Sequence, residues 1–268
     1  MINTIFFGQS GRIGKLIINS NLLNGNLFFA KRDGQFISEN RLIDQNELIK
    51  ISENNQVQFV DLSIDYSSSE NMIAHENLKN LFFKKLIDKS PLISYIGISS
   101  GAAQFPLYEI QDSFYREYAR FKNENLVYLE SLNIPIFYPQ IFTLIGQCSF
   151  GKKDIGWVNV IEQARRNFVV NISDPLELRT WVSEKTLIKY LANFFIHPDK
   201  KIVSTIKDGE FCLADLVNIV ENFYKIKCQI KIDKKEKWLP YAYVDQCKTS
   251  LLGNEKLEEV IKEILYLN

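Results

Sequence analysis

The sequence has no net charge: its 268 residues carry 32 Lys+Arg against 32 Asp+Glu. No global field draws such a chain to nucleic acid or to an anionic membrane, so an anionic ligand must be held by local geometry. Histidine is scarce, with only His75 and His197. The four cysteines, Cys148, Cys212, Cys228 and Cys247, form no C-x-x-C pair. No metal site is expected from so thin a set of ligands, and free buried thiols are the better reading. Uninterrupted apolar runs stay far below the roughly 20 residues that span a bilayer. The N-terminus enters a strand-like segment without a basic-then-apolar leader, so the expected location is cytoplasmic. Internal repeats and low-complexity tracts are also missing. What remains, at 46% apolar residues, is an ordinary globular composition.

The first half alternates short apolar runs with stretches of helical spacing. Ile2–Phe7, Leu27–Ala30, Val57–Leu62, Leu92–Ile98 and Ile134–Tyr138 read as strands. Arg12–Leu22, Met72–Leu86 and Gln111–Ser131 read as helices between them. Such alternation predicts a parallel sheet covered by helices on both faces. Beyond Gly146 the rhythm changes, with helices predicted at Val158–Arg166, Glu184–Phe195, Leu213–Tyr224 and Lys256–Leu265. A second lobe on the carboxyl side of the sheet is the expected organisation.

Gly8-Gln9-Ser10-Gly11-Arg12-Ile13-Gly14 follows the first strand and opens the first helix. Glycine there allows a sharp turn and a close backbone approach to a pyrophosphate, and the helix N-terminus offers N–H groups and partial positive charge. By itself G-x-x-G-x-x-G is weak; in strand–loop–helix context it points to a dinucleotide, with Gly8, Ser10, Gly11, Arg12, Ile13 and Gly14 as the binding residues. The second strand runs into Lys31-Arg32-Asp33. A basic residue at this position accommodates a 2′-phosphate and an acidic one a 2′-hydroxyl. The basic pair comes first and favours NADP(H) over NAD(H), while Asp33 keeps the alternative open.

Tyr118 and Lys122 are four apart on the long helix and share one face. That spacing sets an ammonium near a phenol, where it favours the phenolate and suits the phenol to exchange a proton with a carbonyl or alcohol oxygen. In a chain with 12 tyrosines the pair also arises by chance, and its setting is what raises it. The strand Leu92–Ile98 ends in Ser99-Ser100-Gly101, placing hydroxyls at the carboxyl edge of the sheet, where ligands bind in such folds. A strand-end turn is the plainer account of those serines.

These motifs, taken in order, resemble the extended short-chain dehydrogenase/reductase superfamily, in its nucleotide-sugar epimerase/dehydratase/reductase branch. Pro139 to Gly146 is similar to that family's "R-x-F-N-x-Y-G-P" segment, and Leu178-Arg179-Thr180-Trp181-Val182 to its "R-D-F-V-x-V". Ile206–Glu210 with Leu213–Leu216, and Asp245–Gly253, resemble two further segments. The resemblance implies a Rossmann-type doubly wound fold with a smaller C-terminal substrate-binding lobe. Residues 1–146 would bind the dinucleotide, with return segments near 168–205, and residues 147–268 the substrate. It further implies that Tyr118, Lys122 and Ser100 are catalytic, that Lys122 also contacts the nicotinamide ribose, and that Arg179 holds a nucleotide diphosphate. Ser99, Gln140 and Thr143 would line the substrate, the last two replacing the family's arginine and asparagine. A homodimer through the two long helices is implied as well, with Phe114, Phe121 and Leu129 as candidate contacts unless they face the sheet.

The departures bear on the reaction. The family's third strand-end hydroxyl falls on Gly101, and the Thr-Asp-Glu triplet of its 4,6-dehydratases is missing from Ser100-Gly101-Ala102. Dehydration is therefore not expected. The first expectation is an NADPH-dependent reductase of a 4-keto nucleotide sugar, feeding surface polysaccharides. A nucleotide-sugar C4 epimerase with bound NAD is the alternative, and a non-catalytic dinucleotide-binding protein the third reading.

The basic pair after the second strand generates one expectation for the bench: NADP(H) binds more tightly than NAD(H). Arg32→Ala costs about 1.5–3 kcal/mol of NADP(H) affinity, the worth of a charge-assisted phosphate contact, read by fluorescence titration. Equal wild-type affinities would contradict it.

Overall fold

In a computed structural model of the chain, the described residues are 1–23, 25–31, 33–104, 106–110, 112–150, 156–197, 200–232, 245 and 249–268. They fall into two compact units. One comprises 1–103, 113–140 and 188–203; the other comprises 104–112, 141–187 and 204–268.

The first unit carries β1 (Ile2–Phe7), α1 (Arg12–Asn19), β2 (Asn26–Ala30), β3 (Phe36–Ser38), β4 (Arg41–Ile43), α2 (Gln45–Ser52), β5 (Gln56–Asp61), α3 (Ser69–Lys89), β6 (Ile93–Gly97) and α4 (Ser113–Ser131). Its sheet runs in the order Lys201–Ile202, Ile136–Phe137, β6, β5, β1, β2, β3, β4. The strands are parallel as far as β2. Strand alternation sorts the side chains into two rows. Ile5, Phe28, Phe59, Tyr95 and Ile136 lie in register across the sheet and pack with Leu48, Phe82, Phe83, Leu86 and Leu129 of the helices on that side. The alternate row, Phe6, Phe29, Val60, Ile96 and Phe137, serves the other face, where Phe137 meets Phe194 of the helix Glu184–Ile196 at 5.7 Å. This is the α/β architecture that the alternation predicts, of the Rossmann type that the resemblance implies.

One edge departs from the all-parallel expectation. After β2 the chain makes a tight turn, with Lys31 N donating to Gln35 O (2.8 Å) and Gly34 N to Lys31 O (3.2 Å), and Gly34 at φ +81°. So short a connection can only return antiparallel, and β3 pairs with β2 in that sense. Glu39 and Asn40, both at positive φ, form the two-residue turn into β4. Sequence periodicity assigns no element to 36–52: the three-residue strands are too short to show a period, and α2 has only eight residues. The first helix also stops short, at Asn19: Ser20 Oγ turns back to donate to Ile17 O (2.6 Å), and Asn21 takes φ +55°.

The second unit holds a three-stranded sheet of Thr143–Ile145, Leu178–Ser183 and Gly209–Cys212, the first pair parallel and the second antiparallel. Helices Gly156–Asn167, Leu213–Tyr224 and Leu257–Tyr266 build its core from Trp157, Val158, Ile161, Leu216, Val220 and Ile261. Two carboxylates, half-buried Asp208 and buried Asp245, tie its loops together. Asp208 accepts from Ser183 N (2.7 Å), Thr186 Oγ1 (2.7 Å) and Glu255 N (3.1 Å). Asp245 accepts from Thr205 Oγ1 (3.0 Å) and Gln104 Nε2 (3.1 Å), while its own N–H donates to Thr180 Oγ1 (2.7 Å). Among the described residues no helix is long and apolar enough to cross a membrane.

Of the candidate dimer contacts, Leu129 (1% exposed) lies in the core and Phe121 is also buried, while Phe114 is half-buried. Leu129→Ala should therefore cost about 2–5 kcal/mol of stability, the usual loss for emptying a core leucine site. Chemical denaturation reads the loss, and light scattering should show an unchanged association state.

Candidate active site

The glycine loop is packed so closely that two of its glycines are obligatory. Gly8 sits at φ +87°, and a Cβ there would come within 2.6 Å of Leu62 C. A Cβ on Gly14 would lie 2.2 Å from Gly8 O, so the helix can start against the loop only without a side chain. Gly11 is the N-cap of α1 and supplies no side-chain cap. The first-turn amides, those of Arg12, Ile13 and Gly14, have no side-chain oxygen bonded to them, an arrangement suited to an anion. Ser10, Gly11 and Arg12 are exposed beside it. Gln9 Nε2 donates to Ala30 O (3.3 Å) and fastens the loop to the end of β2. Uncapped amides at a helix N-terminus suit the loop chemically to a phosphate group.

At the β2 end, Lys31 pairs with Asp33 at 3.3 Å. The two residues that argue for opposite cofactors are partners on one exposed turn. The Gln35 amide, accepted by Asp33 Oδ1 at 3.1 Å, and then Lys31, hold the Asp33 carboxyl below its ordinary value. Arg32 lies outside the described residues.

Tyr118 and Lys122 project from one side of α4. Lys122 Nζ is 5.8 Å from the Tyr118 ring centre and 5.6 Å from that of Tyr138, and it donates to Ile98 O (2.8 Å) just past β6. Burial works against its charge, but Tyr138, Tyr118, Glu76 and Asp61 outweigh burial and raise its pKa above the ordinary lysine value. Lys122 is therefore a fixed cation at this edge of the sheet. Ser99 is buried and its Oγ has no partner among the described groups. Ser100 Oγ accepts from Ala102 N (3.2 Å). Gln140 is buried in the same unit.

Thr143 and Arg179 belong to the second unit. Thr143 pairs with Trp181, and Arg179 is held by Glu177 Oε1 through Nε (3.0 Å) and Nη2 (2.7 Å). A diphosphate would compete with that carboxylate.

Beneath the Tyr118–Lys122 edge lies a group of charges that sequence reasoning missed. Lys79, 2% exposed, pairs with Asp61 Oδ1 at 2.6 Å and Glu76 Oε1 at 2.7 Å. It also donates to Ser63 O (2.6 Å). Tyr95 Oη donates to Asp61 Oδ2 (2.9 Å). Burial alone would raise the Asp61 pKa, but Lys79, Lys122 and Tyr95 bring it below the ordinary value. Glu76 is pushed up, by burial first. His75 Nε2 lies 2.8 Å from Ser63 Oγ, and burial, then Lys79, lowers its pKa. A readable signal existed: Met72, Glu76, Lys79, Phe83 and Leu86 follow one another at helical spacing, so two charges sit in an apolar stripe. Among the described residues no cluster of metal ligands occurs.

No family model matches the sequence, and no curated protein matches it. Solved structures do. UDP-N-acetylglucosamine 4-epimerase from Bacillus cereus superposes over 100% of this chain and 96% of its own, with a TM-score of 0.62 at 14% identity. GDP-mannoheptose C4 reductase from Campylobacter jejuni, solved with NADP bound, covers 99% and 97% (TM-score 0.61, 12% identity). dTDP-glucose 4,6-dehydratase from Bacillus anthracis, in complex with NAD, covers 100% and 97% (TM-score 0.61, 13% identity). At such identities the likeness is one of fold, and the fold is the one implied by the sequence resemblance.

The charge cluster yields a stability test. Removing one partner of a buried ion pair leaves the other uncompensated, so Asp61→Asn should destabilise the protein by about 3–5 kcal/mol at neutral pH. Because folding lowers the Asp61 pKa, the carboxylate's contribution is present above its unfolded value and lost as pH falls through the folded one. The gap between wild type and variant, followed by denaturant melts, should close on acidification. A gap that is constant with pH would contradict this account.

Proposed function

We propose that this protein is an NADPH-dependent reductase of a 4-keto nucleotide sugar, acting in the cytoplasm on a precursor of surface polysaccharide. The observation that carries the reading is the Lys122 ammonium, held charged beside the Tyr118 ring, in the same unit as a glycine loop whose helix amides lack a side-chain cap. The similarity of fold to proteins described as nucleotide-sugar epimerases, reductases and dehydratases supports it.

In this reading the first unit binds the dinucleotide and the second the sugar nucleotide. Gly8, Ser10, Gly11, Arg12, Ile13 and Gly14 cradle the pyrophosphate, Lys31 and Arg32 receive the 2′-phosphate, and Lys122 also contacts the nicotinamide ribose. When bound, the reduced nicotinamide supplies a hydride to the keto carbon. Tyr118 Oη gives its proton to the keto oxygen, so the C=O becomes CH–OH, and Lys122 stabilises the phenolate left behind. Ser100 orients the carbonyl, with Ser99, Gln140 and Thr143 lining the sugar. Arg179 exchanges Glu177 for the diphosphate. A homodimer forms through α3 and α4, where Leu78, Leu81 and Val127 stand exposed. The second reading is a C4 epimerase recycling bound NAD with the same residues; the Asp33 carboxylate at the β2 turn is what favours it.

Tyr118→Phe removes the transferable proton and keeps the ring, so turnover of a 4-keto sugar should fall by about 10²–10⁴-fold with NADPH affinity unchanged. Lys122→Ala should impair both. Tyr115→Phe, three residues earlier on α4, is the control. Single-turnover kinetics decides: near-wild-type turnover by Tyr118→Phe, or greater damage in Tyr115→Phe, would contradict the mechanism.

A further inference from the structure

Resting on that reading, the surroundings of Tyr118 point to another participant. The segment between β5 and α3 carries Tyr66, whose ring centre lies 6.2 Å from that of Tyr118, with the planes 38° apart. The same ring is 6.1 Å from Phe114, one turn before Tyr118 on α4. Tyr66 is 65% exposed, so much of its side chain is open to solvent beside Tyr118.

An exposed aromatic on a loose loop would mean little. This loop is held from beneath at Ser63, and exposed turn bonds order its run into α3. Buried Lys79 donates to Ser63 O (2.6 Å), and His75 Nε2 lies 2.8 Å from Ser63 Oγ. Asp65 Oδ1 accepts from Ser67 N (2.9 Å), and Asn71 Nδ2 donates to Ser67 Oγ (2.9 Å). Ser68 Oγ then caps α3 by accepting from Asn71 N (3.2 Å). The charge cluster therefore both favours the cation beside Tyr118 and holds the start of the segment that carries Tyr66.

At the Ser99-Ser100-Gly101 strand end the third position has no hydroxyl and Ser99 is buried, which leaves Ser100, whose Oγ accepts from Ala102 N and keeps its O–H to donate. A ketone protonated by one phenol gains from a second donor aimed at the same oxygen, since charge gathers there in the transition state. A tyrosine hydroxyl keeps its proton at neutral pH and can donate.

We propose that Tyr66 is a second phenol of the reaction site, donating a hydrogen bond to the carbonyl oxygen that Tyr118 protonates and so orienting the sugar ketone. No atom is transferred by Tyr66. Hydride and proton come from the nicotinamide and Tyr118 as above, and Tyr66 contributes a hydrogen bond that strengthens as the oxygen gains charge.

The test compares Tyr66→Phe, Tyr118→Phe and wild type with NADPH and a panel of 4-keto nucleotide sugars. Loss of one such donor is expected to lower kcat by about 10²-fold, with NADPH affinity unchanged. If Tyr118→Phe collapses while Tyr66→Phe stays within about twofold of wild type, the Tyr66 proposal is overturned and the reductase reading stands. If neither variant loses turnover, the reading falls and the proposal with it. A second measurement needs no turnover. Hydroxyl-radical footprinting is run with NADP+ and a nucleotide hexose that raises the melting temperature. Oxidation at Tyr66 should fall to background; a bound sugar that leaves Tyr66 as reactive as before overturns the proposal. A protein that no nucleotide hexose stabilises loses the reading itself, and the proposal with it.

Discussion

Lys79 and Asp61 meet at 2.6 Å inside the first unit, and much of the candidate site is arranged around that contact. An apolar pair of similar volume would be cheaper to bury, because two ions lose their water on entering the interior. The ion pair nevertheless occupies the carboxyl end of β5, on the edge that also carries Lys122. Its geometry makes several positions interdependent. Asp61 orients Tyr95 and contributes to keeping Lys122 charged; Lys79 holds Glu76 and the Ser63 carbonyl; Ser63 holds the loop that brings Tyr66 to Tyr118. Asn80 and Asn125, each neighbouring one of the two lysines in helical register, bond across α3 and α4 at 3.3 Å. The position of the Tyr118–Lys122 helix and the charge beneath it are thus set by one network.

On the neighbouring strand β1, at the same sheet edge, the constraint is steric rather than electrostatic. Gly8 and Gly14 let the loop, the first helix and the Leu62 backbone converge with no room for a Cβ. The result is a helix N-terminus without a side-chain cap, facing the place where a phosphate would settle. The next strand then ends in a hairpin instead of a crossover, so the Lys31–Asp33 turn is a short, hydrogen-bonded loop.

How much was legible in the sequence depended on the length of each signal. Long apolar periods gave β1, β5, β6, α3 and α4 to within a few residues, and the glycine spacing located the loop. The hairpin Phe36–Ile43 was illegible because a three-residue strand has no period. Tyr118 and Lys122 were legible as an i,i+4 pair, since both lie on one local element. Tyr66 was not: it lies 52 positions from Tyr118 in the chain and has no motif around it, so only the fold brings the two rings together. Glu76 and Lys79 stand between, visible as an i,i+3 charge pair in an apolar stripe, while Asp61 joins them only through the fold. Arg179 was singled out by its motif, whereas its ion pair with Glu177 depends on local geometry that the motif does not specify.

The central claim is that hydride enters a sugar ketone beside Tyr118 in a net reduction. It is tested most directly by supplying the protein with NADPH deuterated at the transferring position and a 4-keto nucleotide sugar. The account predicts one deuteron fixed at the former keto carbon for each NADPH consumed. Sugar conversion without NADPH consumption, or with no deuterium in the product, would contradict it.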